Sequence, residues 1–518
     1  MEMAPKPFLA TTRASVSEAK LAYFEGDFER CLEICAEIRV RTLGTASDVA
    51  LLTARAYLRT GRPHEAQIAI VDTLETHASL DASLTAQMLF ATARIRQDDA
   101  DTGIAMLVEA AGRSAGAHVS IRSEIAFCTA LGHWAKREID AAETYLAAVD
   151  PRSDIIHARA LELQAWCHTA RRDYRRSAEH FRLTLLRLDE CRATDRAIAA
   201  TAISTLAIFA AELFDPDIAR FVEARAHRLD WSSGLSVQHY ITLLHQAFFH
   251  EFSGNTVEAY QFAAQAREAA PTVPFEVLGW GVSSALARNA GEAFSAIVFA
   301  QRAQKLLETL DARELAGDER FSMLCVAENC AHFAPNKAAE LFAGYWRLAP
   351  VDKMQSLSGD PRLTADETFI EGVIAQALDE WDRARACYRR AFEMFRAIGY
   401  VRRAVMSANA LLKLGEDDEL RCYINAELAG TDNYITRSFR SDDETDSIEQ
   451  HPIVASLPRT QREVVVLICR GKTNKEIAAL RNVGEQTVKN MLTKHVFRAF
   501  GVSNRAALVS MCLRLRGQ

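Results

Sequence analysis

One short frame recurs along the chain and constrains its fold more than any other feature. In Ala22-Tyr23-Phe24-Glu25-Gly26 and Ala56-Tyr57-Leu58-Arg59-Thr60-Gly61 an apolar helix end runs into glycine. A small residue follows five positions later, Cys31 or Ala66. The frame returns as Asp98 with Gly103, Arg137 with Ala142, Arg172 with Ser177, Gly254 with Ala259, Gly291 with Ala296, Asp379 with Ala384 and Gly415 with Leu420. Frames that pair directly lie 35, 37, 39, 35, 37 and 36 residues apart, and weaker ones near Phe214 and Ala334 fill the longer gaps. Glycine, or a polar residue able to take a tight turn, ends the first helix, and the small residue lets the second approach closely. A unit of this length buries its apolar face only by stacking on the next unit. The expectation is an all-α chain whose 518 residues need not divide into several compact domains.

Arg383-Ala384-Arg385-Ala386-Cys387-Tyr388-Arg389-Arg390-Ala391-Phe392 is the clearest second helix. From about Ser15 to Glu427 the pattern resembles the tetratricopeptide repeat. That resemblance implies an α-solenoid, residues 15–428 after a 1–14 tail, with a concave face lined by first helices. Such grooves bind peptides or partner domains, so a protein or peptide partner is expected there. The other reading is an irregular helical domain without a groove.

Several chemistries find no support. His239, His245, His250 and Glu251 are spaced on different helix faces and read as ordinary histidines, with no metal site. The 11 cysteines are scattered without a Cys-x-x-Cys and read as buried thiols. No long uncharged apolar run predicts a membrane span, and the N-terminus lacks the pattern of a signal peptide, so a cytoplasmic protein is expected. Gly471-Lys472-Thr473 mimics the end of a phosphate-binding loop, but Val466 stands where its first glycine belongs. No nucleophile–base pair or strand–helix alternation appears, so neither an enzyme nor a cofactor is expected.

From Ala429 the periodicity stops. Gly430-Thr431-Asp432-Asn433 is turn-rich and Asp442, Asp443, Glu444, Asp446 and Glu449 make the next stretch acidic, which predicts a flexible linker over 429–452. Beyond it the charge reverses. Residues 451–518 carry 12 Lys+Arg against 3 Asp+Glu, while the preceding 450 carry 49 against 65. A local basic excess is what neutralising phosphates requires.

Helical spacing of Val464, Val465, Leu467 and Ile468, stopped by Gly471, predicts a first helix. Thr460 with Glu463 and Thr473 with Glu476 read as capping boxes. A short second helix from Asn474 to about Leu480 would turn Ile477, Ala478 and Leu480 inward. After Asn482-Val483-Gly484, a third helix from Glu485 would bury Val488, Leu492, Val496 and Ala499. Its outer face carries Gln486, Lys489, Asn490, Thr493 and Lys494, whose amide, hydroxyl and ammonium groups suit base edges. Ser503 or Asn504 would cap a fourth helix through Leu515.

Asn474-Lys475-Glu476-Ile477-Ala478, Thr487-Val488-Lys489-Asn490 and Gly501-Val502-Ser503-Asn504-Arg505 make residues 453–518 resemble the LuxR-type (GerE-type) helix-turn-helix domain of bacterial transcription regulators. The resemblance implies double-stranded DNA as partner, a homodimer on it through the last helix, and RNA polymerase as a further candidate. Base contacts would come from Gln486, Lys489, Asn490 and Thr493. Phosphate contacts would come from Thr473, Asn474, Lys475, Thr487, Lys494 and Arg505. The sequence departs from the pattern at Arg481, which takes the place of the usual Leu, at Gly484 in place of a Ser cap, and at Met491 where His is common. One extra residue between Lys489 and Gly501 leaves open which of Thr493, Lys494 and His495 face the groove. An interaction scaffold whose terminal domain contacts protein is the competing function.

Overall fold

The structure is a computed structural model that describes residues 15–41, 47–75, 79–191, 195–231, 234–311, 313, 315, 317–348, 361–415, 417–436, 452–469, 474–481, 483–502 and 508. It forms two compact units, 1–252 with 256–416 and 253–255 with 417–518. Every regular element among the described residues is helical.

The first unit is a series of helical hairpins. They begin Val16–Glu25 with Phe28–Arg41, Ser47–Arg59 with Pro63–Glu75, Leu80–Arg96 with Ala100–Arg113, and Val119–Ala135 with Ile139–Leu146. Asp154–Ala170 with Tyr174–Glu190, Arg196–Glu212 with Pro216–Ala226, and Val273–Asn289 with Ala293–Leu307 continue the pattern, as do Phe321–Cys330 with Pro335–Leu348 and Pro361–Ala377 with Trp381–Ile398. This is the tetratricopeptide-like α-solenoid the period implies.

The recurring frame has one backbone cause. Gly26, Gly61, Asp98, Arg137, Arg172, Phe214, Gly254, Gly291 and Asp379 all take positive φ. After Gly26, Gly61, Asp98, Arg137, Arg172, Phe214, Gly291 and Asp379 the next residue's N–H closes back on the carbonyl five residues earlier, as Asp99 does on Arg94 at 3.1 Å and Glu138 on His133 at 2.9 Å. This left-handed cap satisfies the last carbonyls of the first helix and aims the chain into the second. The residue five places on is then pressed between the two helices: Cys31, Ala66, Ala142, Ser177, Ala259 and Ala384 are each 0% exposed. Phe214, the weak frame in the sequence, uses the same geometry and offsets its awkward backbone by packing on Phe249 and Phe252. Ala334 and Gly415 do not. Neither is left-handed, and at the second site Asp417 caps the following helix through the Leu420 N–H at 3.1 Å.

Gly103 shows how tight the approach is. A Cβ there would stand 2.5 Å from Ile95 Cγ1 and 2.7 Å from the Ala91 carbonyl. The carbonyl cannot rotate away, so Gly103→Ala should destabilise the first unit by about 1–3 kcal/mol despite alanine's helix propensity. Urea denaturation followed by tryptophan fluorescence measures this, and a neutral or stabilising result would mean the hairpin opens freely.

The inner helices also meet across the turn of the solenoid. Val16–Glu25 and Val401–Leu412 both reach Arg196–Glu212. Arg59 forks onto Asp195 at 3.0 and 3.3 Å, Arg55 onto Glu124, and Arg402 onto Glu212, while Tyr174 meets Tyr400 with ring centroids 5.2 Å apart. The three ion pairs tie segments 69 to 190 residues apart.

In the second unit Asp418–Glu427 leads to a packed turn, where Asn433 Oδ1 accepts from the Ile435 and Thr436 N–H groups at 2.9 and 3.0 Å. Asn433 and Ile435 are 0% exposed. The first residues of the expected flexible linker are therefore ordered, because turn-rich sequence serves a buried Asx cap as well as a tether. The acidic stretch Asp442 to Glu449 lies outside the described residues.

Candidate nucleic-acid interface

The basic C-terminal segment folds around its own core. Pro452–Ala455, Arg459–Cys469, Asn474–Leu480 and Glu485–Met491 surround Val454, Leu457, Val464, Val465, Val466, Ile468, Ile477, Ala478, Val488, Leu492, Val496, Phe500 and Leu508, all buried. Leu467 is half-buried at its margin.

The first helix begins at Arg459, two residues earlier than a Thr460 cap requires, so Thr460 lies inside its first turn and caps nothing. Glu463 instead bonds Arg459 at 3.0 Å and faces Arg481 at 3.4 Å. The partner box of Thr473 and Glu476 lies outside what the structure describes.

Arg481 is the residue whose role sequence reasoning missed. Its guanidinium reaches back to the Thr460 carbonyl as well as to Glu463, and its side chain is only 17% exposed. It therefore fastens the end of the second helix to the start of the first. Leu480, expected to point inward, is 64% exposed. The polar anchor takes the place of an apolar one, and the adjacent Leu rotates out to solvent. The signal was in the sequence as the displaced Leu-Arg order.

The third helix is the outward one. It starts at Gly484, which offers no side-chain cap, and runs Glu485–Met491. A π turn, Leu492–Val496, follows, and the helix finishes at Phe497–Phe500 with left-handed Gly501 closing it. In the π turn the Phe497 N–H bonds the Leu492 carbonyl, five residues back. Such a turn accommodates one more residue than an α turn, and this is how the segment absorbs its extra length. The register shift decides the buried stripe: Val488, Leu492, Val496 and Phe500 are buried, whereas Ala499, the expected fourth member, is exposed.

Gln486, Thr487, Lys489, Asn490, Thr493, Lys494 and His495 are all exposed. Gln486 Nε2 donates to Asn490 Oδ1 at 3.2 Å, which leaves the Asn490 amide NH2 pointing its donors elsewhere. Lys489 pairs with Glu485 at 2.8 Å, and the Thr493 hydroxyl donates to the Lys489 carbonyl at 2.7 Å. Lys475 is exposed and Asn474 half-buried at the head of the second helix. Thr473, Arg505 and the expected fourth helix from Ser503 or Asn504 lie outside the described residues, apart from buried Leu508.

Elsewhere the histidine trio does not converge. His239 stacks on Trp231, His245 donates to its own helix at the Ile241 carbonyl, and His250 meets Glu223 at 2.9 Å. Among the described residues no group of three His, Cys, Asp or Glu is placed to hold a metal, and no helix is long and apolar enough to cross a membrane. Of the described cysteines Cys31, Cys35, Cys128, Cys167 and Cys330 are buried, whereas Cys422 is exposed.

Residues 455–512 match the family described as GerE, bacterial regulatory proteins of the luxR family. The chain thus carries a LuxR-type helix-turn-helix domain at its C-terminal end, behind a tetratricopeptide-like solenoid. Among solved structures, the apo form of the quorum sensor NprR from B. thuringiensis is 12% identical with a TM-score of 0.39, covering 73% of this chain and 97% of its own. The APC/C hetero-tetramer Cut9-Hcn1 is 11% identical with a TM-score of 0.27, covering 98% and 97%. No curated protein matches the chain.

Proposed function

We propose that this chain is a bacterial DNA-binding transcription regulator whose solenoid serves as a sensor or docking module. The observation that carries it is the exposed face of the third helix. Gln486, Lys489, Asn490 and Thr493 present amide, ammonium and hydroxyl groups there, within a domain of the luxR regulatory family. A helix of this kind entering the major groove reads base edges through such groups. Asn474, Lys475, Thr487 and Lys494 flank it as phosphate contacts, with Thr473 and Arg505 assigned the same role from the sequence. A single short helix reads few base pairs, so the protein acts as a homodimer on an inverted repeat, in the cytoplasm, with RNA polymerase as a downstream partner.

Mapping genomic sites bound by the intact protein tests this, followed by salt titration on one recovered duplex. Affinity should fall linearly on a log–log plot of salt, and Lys475→Ala and Lys494→Ala should each lower the slope by about one phosphate contact. Undetectable binding to any duplex at low salt would favour a scaffold whose terminal domain contacts protein.

A further inference from the structure

Among the first helices of the first unit lies a cavity of about 260 Å³. Five inner helices contribute to its wall, and three of them send in a guanidinium: Arg59, Arg96 and Arg159. The rest of the lining is mostly apolar and includes Phe127, Trp134 and Trp166.

The charges do not balance. Arg59 is held by Asp195. Arg96 and Arg159 have no hydrogen-bonded or ion-paired carboxylate among the described residues, and Arg159 lies over the Phe127 ring at 4.6 Å. Burial, then Arg159, then Arg59 push the Arg96 guanidinium below its ordinary pKa. Glu162 shares the cavity, but burial pushes its carboxyl up to about 7, so near neutral pH it supplies only part of a counter-charge. The Trp134 Nε1 is buried with no acceptor. Close by, Arg55 with Glu124 and Arg59 with Asp195 show how the fold pairs an arginine for structure alone. Two guanidiniums without a bonded carboxylate converge on one space. Keeping them so costs free energy unless an acceptor arrives.

We propose that this cavity binds a small organic anion, a carboxylate carried on an aromatic body, with the carboxylate between Arg96 and Arg159 and the ring against Phe127 and Trp166. Guanidiniums present paired N–H donors that match a carboxylate, and the indole and phenyl surfaces take the apolar remainder. The volume lies below the roughly 300–1,000 Å³ of sites for drug-sized ligands, which selects a body of about one ring. The same chemistry could be offered by a free aryl carboxylate or by the C-terminal phenylalanine of a peptide.

The test uses the full chain, with calorimetry and quenching of tryptophan fluorescence as readouts. The probes are phenylacetate, its neutral amide phenylacetamide, inorganic phosphate, and N-acetylphenylalanine as the peptide-terminus arm. Phenylacetate or N-acetylphenylalanine should bind one per chain, and the tighter of the two identifies the source. Phenylacetamide and phosphate should each be about tenfold weaker or more, for want of the charge or of the ring. Arg96→Gln and Arg159→Gln should each weaken the carboxylate about tenfold or more without lowering the melting temperature. Glu162 faces Arg59, Arg159 and Trp166, with Asp195 behind Arg59. Its ionisation should therefore weaken the probe as pH rises through about 7. Glu162→Gln should flatten that dependence, a readout that a purely structural role would not move. Binding of neither carboxylate, equal binding of phenylacetamide or phosphate, or an unchanged affinity in Arg96→Gln would overturn the proposal. DNA affinity is not a readout here, so the site and the DNA-binding reading can fail separately.

Discussion

Arg402→Met should destabilise the first unit by about 3–5 kcal/mol, the range for a buried ion pair broken on one side. Arg402 and Glu212 retain only 5% and 9% of their side-chain exposure. Arg402 donates twice to one Glu212 oxygen and rests on the Phe248 ring at 4.5 Å. Burial opposes the Glu212 charge, yet Arg402 and Arg403 outweigh it and hold the carboxyl below its usual range. Methionine retains the packing on Phe248 but strands that carboxylate. Adding Glu212→Gln should recover most of the loss, because the charge that lacked a partner is gone. All six tryptophans lie between positions 134 and 381, so intrinsic fluorescence during denaturation reports the first unit alone. A double variant no more stable than Arg402→Met would show that the cost is packing and not the stranded charge.

That pair also marks what the sequence could not reveal. The hairpin series was legible because its determinants are local: a residue able to turn left-handed, then a small residue five places on. Asp98, Arg137, Arg172 and Asp379 obey this without being glycine, and each takes φ near 60°. Gly415 fits the letters of the frame, but Asp417 supplies a cap of another kind. The pairs that close the inner face join residues 69, 136 and 190 apart, and no local pattern announces such partners. The cavity arginines were invisible for the same reason, since they come from three inner helices and each alone reads as a solvated charge. In the C-terminal domain the helices and most of the core followed from periodicity. Thr460, Leu480 and Ala499 did not, and each miss traces to a shift of one or two residues: an earlier helix start, an arginine anchor and a π turn.

Asn490→Ala should reduce affinity for a preferred site about ten- to a hundredfold, corresponding to roughly 1–3 kcal/mol for a lost base contact, and leave mixed-sequence binding nearly intact. Gln486 already occupies the Asn490 amide oxygen, so the free NH2 is the group available to a base acceptor. Gln486→Ala should therefore act through Asn490 and add little to it in the double variant. Lys489 must first leave Glu485, an exposed pair worth at most about 1 kcal/mol, so Lys489→Ala should also lower specificity. Glu485→Ala, which frees the lysine and removes an acid facing the phosphates, should tighten binding to every sequence and steepen its salt dependence. Thr493 spends its hydroxyl proton on the Lys489 carbonyl and retains only acceptor capacity, so Thr493→Ala should matter only opposite a base that donates. Competition binding on the preferred duplex against mixed-sequence DNA separates these effects. Equal losses on both duplexes for Asn490→Ala would assign this face to the phosphate backbone, and the register set by the π turn would then put Lys494 and His495 toward the bases.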